Sequence, residues 1–323
     1  MLSDVFKKSK GVDLFHGILG QEKVKKQIIS ALIMKRHIIL VGPPGTGKTS
    51  LAKSIAKLLP TLEIEDKISG KKRKLSGEER FIRIQGSPDL TVEDILGDID
   101  PVKALKFGAL SIEAFTQGKI FKANKGVLFF DELNRAPEKL QNALLQVLEE
   151  GKCTIGSYDV DFDTDFIFIG TMNPEDYSGT EKLSEVLLDR FDLINIHYPH
   201  RIETEIQIVN ENSEHLKEVN FPRELLNTVI EFIHDLRKSK DLEKFPSVRA
   251  SMGLYERAQA NAFLNHRKDV IMDDVMEAYF SVLAHRMKLK PSVRYLMNTE
   301  TFINKQFKDF LEAKGLKSDL PQI

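Results

Sequence analysis

Residues 42–50 read Gly-Pro-Pro-Gly-Thr-Gly-Lys-Thr-Ser, between the apolar run Ile38-Ile39-Leu40-Val41 and an amphipathic run from Leu51 to Leu59. A strand that enters a glycine loop and leaves as a helix is the context in which G-x-x-x-x-G-K-[ST] carries chemistry. Glycines at 42, 45 and 47 let successive backbone N–H groups turn inward around an anionic phosphate chain. The helix opening near Lys48 aims its positive end at the same place. The Lys48 ammonium can reach the β- and γ-phosphates, and the Thr49 hydroxyl can ligate Mg²⁺. The predicted cradle comprises Gly42, Pro43, Pro44, Gly45, Thr46, Gly47, Lys48, Thr49 and Ser50. Such a chain binds a nucleoside triphosphate.

A chain of 323 residues suggests about two domains. With 41% hydrophobic and 29% charged residues it can build a full core and is not globally disordered. Forty-seven basic against 48 acidic residues argue against wholesale binding to nucleic acid or a membrane surface. A single cysteine, Cys153, forms no internal disulfide and suits a reducing compartment. No run approaches the roughly 18 apolar residues of a membrane span, and the first residues hold no apolar signal core, so the expected location is the cytoplasm.

Residues 22–36 carry a helical stripe, Val24, Ile28, Ile29, Leu32 and Ile33. Residues 60–79 read as a polar surface loop with a basic cluster at Lys67, Lys71, Lys72, Arg73 and Lys74. Phe81-Ile82-Arg83-Ile84 alternates like a strand. Val127-Leu128-Phe129-Phe130 and Phe166-Ile167-Phe168-Ile169 are wholly apolar, as strands buried on both faces are. A helix is predicted between them, from the spacing of Leu140, Leu144, Val147 and Leu148, and residues 152–162 read as a hairpin through Gly156-Ser157. The alternation predicts an α/β three-layer sandwich of the P-loop NTPase type over residues 1–199. After Tyr198-Pro199 the pattern turns helical, around 201–212, 222–237, 249–264, 273–287 and 300–313, with Asp273 as an expected N-cap. Residues 200–323 are therefore expected to form a helical lid domain.

Asp131-Glu132 ends the first buried strand. In P-loop enzymes an Asp there holds Mg²⁺, and the adjacent Glu polarises the attacking water. Asn173, at the end of the next strand, could orient that water; a turn residue before Pro174 is the plainer reading of it. Arg190, in Leu188-Asp189-Arg190-Phe191, and Arg249, in Ser247-Val248-Arg249-Ala250, say little by themselves. Taken alone, Arg190 reads better as a surface ion pair with its neighbouring aspartates.

The series Gly42 to Thr49, Phe129-Phe130-Asp131-Glu132, Gly170-Thr171-Met172-Asn173-Pro174 and Leu188-Asp189-Arg190-Phe191 resembles the AAA+ ATPases. Within them the chain is similar to the MoxR and magnesium-chelatase ATPase-subunit branch. Residues 131–137 and 141–150, Phe81 to Leu90 and Ser247 to Ala250 look like MoxR. Residues 118–126, Gly170 to Pro174 and Leu283-Ala284-His285-Arg286 look like the chelatase side. The likeness runs from Ile18-Leu19-Gly20-Gln21 to about residue 290. It implies a homo-oligomeric, hexameric ring with ATP and Mg²⁺ at subunit interfaces and an all-helical AAA+ lid at the C-terminal end. Ile18 to Gln21 would lie against the adenine, so Gly20 and Gln21 join the nucleotide site. Thr49 and Asp131 would serve the metal and Glu132 the water. Asn173 would be the first sensor, Arg249 the second, and Arg190 a finger reaching the neighbouring site. Residues 99–118 fall where the branch carries an insert in its second helix, and 152–162 where it carries a hairpin before the first sensor. Val248 stands where MoxR proteins usually show proline.

Three functions follow. The leading one is a MoxR-type, chaperone-like motor remodelling a client protein with a partner that bears a von Willebrand factor A domain. The second is the ATPase motor subunit of a metal chelatase; the eight histidines show no ligand spacing, so metal insertion would belong to another subunit. The third, a nucleic-acid translocase, rests only on the basic cluster.

Overall fold

The computed structural model describes residues 13–15, 17–65, 72–108, 111, 114–151, 153–155, 158–160, 165–173 and 183–315. The chain divides into two compact units, Met1–Pro43 with Gly47–His197, and Pro44–Thr46 with Tyr198–Ile323.

The first unit is built on five parallel strands: β1 (His37–Val41), β2 (Phe81–Gln85), β3 (Val127–Asp131), β4 (Ile167–Met172) and β5 (Phe191–Asn195), in the order β5-β1-β4-β3-β2. Successive strand residues point to opposite faces, and here each face meets its own helices. Ile38, Leu40, Val127, Phe129, Ile169 and Ile194 pack with α1 (Glu22–Ile33) and α2 (Lys48–Lys57). Ile39, Val41, Leu128, Phe130 and Phe168 pack with α3 (Glu138–Glu150) through Leu140, Leu144 and Val147. This is the three-layer architecture that the alternation predicted. His37 opens β1 among Phe166, Phe168 and Phe191. Burial first, then the Arg36 charge, holds it down at about 4. It is therefore neutral near pH 7, and its Nδ1 accepts from the Phe168 N–H at 3.2 Å.

Several connections differ from expectation. Residues 60–79 are not simply a loop, because Leu62–Glu65 and Lys72–Leu75 pair as an antiparallel hairpin. Its alternating Leu62, Ile64 and Leu75 were hidden by the surrounding charge. Lys67 and Lys71 of the basic cluster lie outside the described residues. Within 99–118, Gly97–Ile99 and Phe115–Gln117 pair antiparallel on either side of a short helix, Pro101–Phe107, whose Val102 and Leu105 are exposed. The hairpin expected at 152–162 is present, since Cys153–Ile155 and Tyr158–Val160 pair antiparallel, with the turn at 156–157 outside the described residues.

The second unit carries α4 (Ile202–Asn212), α5 (Arg223–Leu236), α6 (Val248–Leu264), α7 (Met272–Leu283) and α8 (Thr299–Ala313). Phe232 and Ile233 of α5, Leu254 and Ala258 of α6, Val275 and Tyr279 of α7, and Phe302 and Phe307 of α8 share one core. Two features escaped the periodicity. Leu242–Lys244 and Lys288–Leu289 form a short antiparallel pair that buries Leu242 and Leu289. Asp273 is not the N-cap of α7: the helix starts at Met272, and the Asp274 carboxylate accepts from the Ile271 N–H at 2.9 Å. Asp274 also pairs with Arg267, which explains a wholly buried carboxylate one position beyond the expected cap.

Candidate functional site

The carboxyl ends of β1, β3 and β4 lie side by side because the sheet places β4 between the other two. Val41 is in register with Met172, and Phe130 with Gly170. The ladder continues past the strands, where the Gly42 N–H donates to the Met172 carbonyl at 3.1 Å. A Cβ at Gly42 would come within 2.3 Å of the Ile196 carbonyl oxygen, so only glycine fits where β1 becomes loop. Gly45 and Gly47 have φ of +75° and +87°, the left-handed conformation that turns amides inward. The Lys48 ammonium folds back on this loop, donating to the carbonyls of Gly42 at 2.6 Å and Pro43 at 2.8 Å. Thr49 and Ser50 follow in the first turn of α2. Pro43 is half-buried, and Pro44, Gly45 and Thr46 at the loop's crest group with the second unit.

Asp131 ends β3, and both of its carboxylate oxygens are engaged. Oδ1 accepts from the Thr171 hydroxyl at 2.7 Å, and Oδ2 from Arg83 at 2.6 Å. Glu132 follows with φ 56° and ψ 52°, left-handed for a residue with a side chain. Such strain persists only where surroundings enforce it, and they are specific here. The Glu132 N–H donates to the same Thr171 hydroxyl at 2.8 Å. Gly86 packs so closely that a Cβ there would meet the Glu132 carbonyl oxygen at 2.1 Å. The Glu132 carboxylate accepts from Gln85 Nε2 at 2.9 Å and pairs with Arg135 at 3.3 Å.

Thr171, 1% exposed, thus ties the two acids together from the neighbouring strand. Sequence reasoning quoted it within a motif and assigned it nothing; its signal was a hydroxyl in an otherwise apolar buried strand. Arg83 and Gln85 were likewise passed over, although their two-residue spacing puts them on one face of β2. Thr171→Val keeps the shape and removes both hydrogen bonds. It should cost about 1–3 kcal/mol in denaturant unfolding, while Thr171→Ser retains both. Wild-type stability in the valine variant would remove Thr171 as the tie between the two acids.

Asn173 follows β4 directly and is half-buried. Arg190 lies between the short helix Glu185–Leu188 and β5 and is held within its own chain by Glu149 of α3 and by Asp189 at 3.1 Å. Gly20 and Gln21 both have positive φ, turning the chain into α1, and Gln21 Nε2 donates to the His197 carbonyl at 2.6 Å. In the second unit, Arg249 sits in the first turn of α6. Two residues on, Ser251 donates to Glu205 of α4, a carboxylate with no exposed surface. Arg237 clasps the same carboxylate through two nitrogens at 2.6 and 2.8 Å, and His234 Nε2 lies 2.9 Å away.

Asp131 and Thr49 bring hard oxygens, the donors Mg²⁺ takes while keeping several waters. A guanidinium already seated on Asp131 marks that carboxylate as attractive to cations. The chemistry of the donor set fits the metal. No group of three or more His, Cys, Asp or Glu suited to hold a metal by itself occurs among the described residues. No helix among them is long and apolar enough to cross a membrane.

Residues 37–191 match the family model of the AAA domain (dynein-related subfamily), and residues 245–304 that of the AAA lid domain. The magnesium-chelatase subunit ChlI homolog of Methanocaldococcus jannaschii is 29% identical, over 88% of each chain. Chaperone MoxR1 of Mycobacterium tuberculosis is also 29% identical, over 84% of this chain and 73% of that protein. The BchI–BchD complex of magnesium chelatase, at 20% identity and a TM-score of 0.50, covers 88% of this chain with 99% of its own and shares the fold.

Proposed function

The chain belongs to the AAA+ ATPases of the MoxR and ChlI-like type, and from that premise we propose that it hydrolyses ATP to drive the remodelling of a partner protein. The observation that carries the reading is the pair Asp131-Glu132, ordered by one buried hydroxyl on the strand beside the phosphate loop. Lys48 and the loop from Gly42 to Ser50, through the N–H groups of Gly45 onward, hold the triphosphate, and Gly20 and Gln21 border the base. Thr49 and Asp131 would hold Mg²⁺, which supplies neutralisation of the phosphate oxygens during transfer. Glu132 takes the proton of the attacking water, and Asn173 orients that water. Arg249 acts as the second sensor. Arg190 stabilises charge in a neighbouring subunit's site, which makes a homo-oligomeric ring, hexameric on this reading, the working form.

Chaperone-like remodelling as a MoxR-type motor, with a von Willebrand factor A domain partner, is favoured by Phe81 to Leu90 and residues 131–150, which look like MoxR. The equal identity to a ChlI homolog keeps a chelatase motor subunit as the second reading. A translocase has only the basic cluster behind it.

Mixing tests the composite site. Arg190→Ala and Lys48→Ala chains should each be nearly inactive alone, and a mixture should recover part of the ATPase rate because some interfaces join an intact loop to an intact finger. A mixture no more active than its components would overturn a finger acting in trans. Pull-down with a von Willebrand A-domain protein against chelatase subunits separates the two motor readings.

A further inference from the structure

Arg83 sits on β2, the edge strand of the sheet, two residues before Gln85, whose Cα partner is Asp131. One of its terminal nitrogens donates to Asp131 Oδ2 at 2.6 Å and to Gln85 Oε1 at 3.1 Å. Read as a tie between neighbouring strands, this is a surface ion pair of small worth. Two observations argue for more. The pair is asymmetric: the Asp131 side chain is 15% exposed and that of Arg83 51%. The guanidinium can therefore swing into water at little cost, whereas the carboxylate left behind stays largely buried and demands another cation. In addition, Thr171 donates to Oδ1, so Arg83 sits on the carboxylate oxygen that this hydroxyl leaves open.

We propose that Arg83 is a positioning residue for the metal site, a built-in counter-cation that sits on Asp131 and competes with the divalent ion for it. The proposal rests on the reading above that Asp131 serves Mg²⁺. Two cations cannot share one carboxylate oxygen without repulsion, so Arg83 must leave Asp131 for the ion to be held tightly. Until then its charge faces that of a half-buried carboxylate in the ion-free subunit. The residue thus lowers divalent-ion affinity while preserving the site's geometry.

The test is Mn²⁺ binding to the full chain with equimolar ADP and without turnover, read from the loss of free-ion signal in electron paramagnetic resonance beyond the loss that the same ADP causes alone. Arg83→Gln removes the charge and should tighten Mn²⁺ about tenfold, the scale of one unit charge nearby at a partly screened site. Arg83→Lys keeps the charge and should stay within about twofold of wild type. Arg83→Ala repeats the charge removal by truncation, so that a folding failure of the glutamine variant, seen in its melting curve, leaves the question answerable. Unchanged or weaker Mn²⁺ binding in the charge-removing variants, or equal shifts in Arg83→Lys and Arg83→Gln, would overturn the competition. A wild-type chain that takes up no Mn²⁺ with ADP instead sinks the metal role of Asp131, a distinguishable failure.

Discussion

Glu132→Gln is expected to lower the steady-state ATPase rate by about 10²–10⁴, the range a positioned general base contributes, while ATP still binds. The substitution isolates proton transfer unusually well at this position. An amide oxygen can still accept from Gln85, and the backbone N–H still donates to Thr171. The left-handed backbone is enforced by Gly86 and Thr171 rather than by the carboxylate. What disappears is a group that can accept a proton, together with the ion pair to Arg135. Nucleotide affinity, read by equilibrium binding of a fluorescent ATP analogue, should change only a few-fold, because Lys48 and Asp131 are untouched. Undiminished turnover would remove Glu132 from water activation; lost binding would make it a structural residue of the loop.

The largest stability effect is expected in the helical unit. Glu205 is wholly buried, and burial by itself pushes its carboxyl up. Hydrogen bonds from His234 and Arg237, the Arg237 charge and the Ser251 hydroxyl outweigh that and hold it at about 2. Removing the carboxylate by Glu205→Ala strands the Arg237 guanidinium, and broken buried pairs of this kind cost about 3–5 kcal/mol. The sign of the pH dependence follows from the depressed value. The charged form is preferred in the folded state, so its contribution is complete above the ordinary carboxyl range near 4.5. It is lost progressively as pH falls toward about 2. Over that window the loss is on the order of 3 kcal/mol. Urea unfolding of wild type and Glu205→Ala between pH 7 and 3 checks both parts, since the acid limb should be much shallower in the variant. A midpoint shift worth less than about 0.5 kcal/mol, the level of an ordinary surface change, would count against the network.

Much of the local architecture was readable from local pattern. The glycine loop, the acids closing an apolar run and the switch from strand to helix periodicity near residue 198 depend on residue type over a few neighbours. The hairpin at 62–75 was masked by its lysines, and Asp273 was taken for a cap that Asp274 supplies, because both choices turn on hydrogen bonds that period and composition do not carry. Arg190 could be seen only as an arginine between aspartates. Glu149, which holds it, comes from a helix on the far side of a hairpin.

By itself the sequence determined that this chain has a glycine loop between a strand and a helix, an acidic strand end and two kinds of architecture, since each is a property of backbone freedom and side-chain period within one segment. Only the tertiary structure decided that β4 lies between β1 and β3. Parallel strands are joined by crossovers, and their order is set by which helix faces bury against which side of the sheet. That order brings the Thr171 hydroxyl to Asp131, 40 positions away, and sets Arg83 against the same carboxylate from 48 positions away. Hydrogen bonds fall off within a fraction of an ångström, so partners so distant in the chain become legible only once the strands stand side by side.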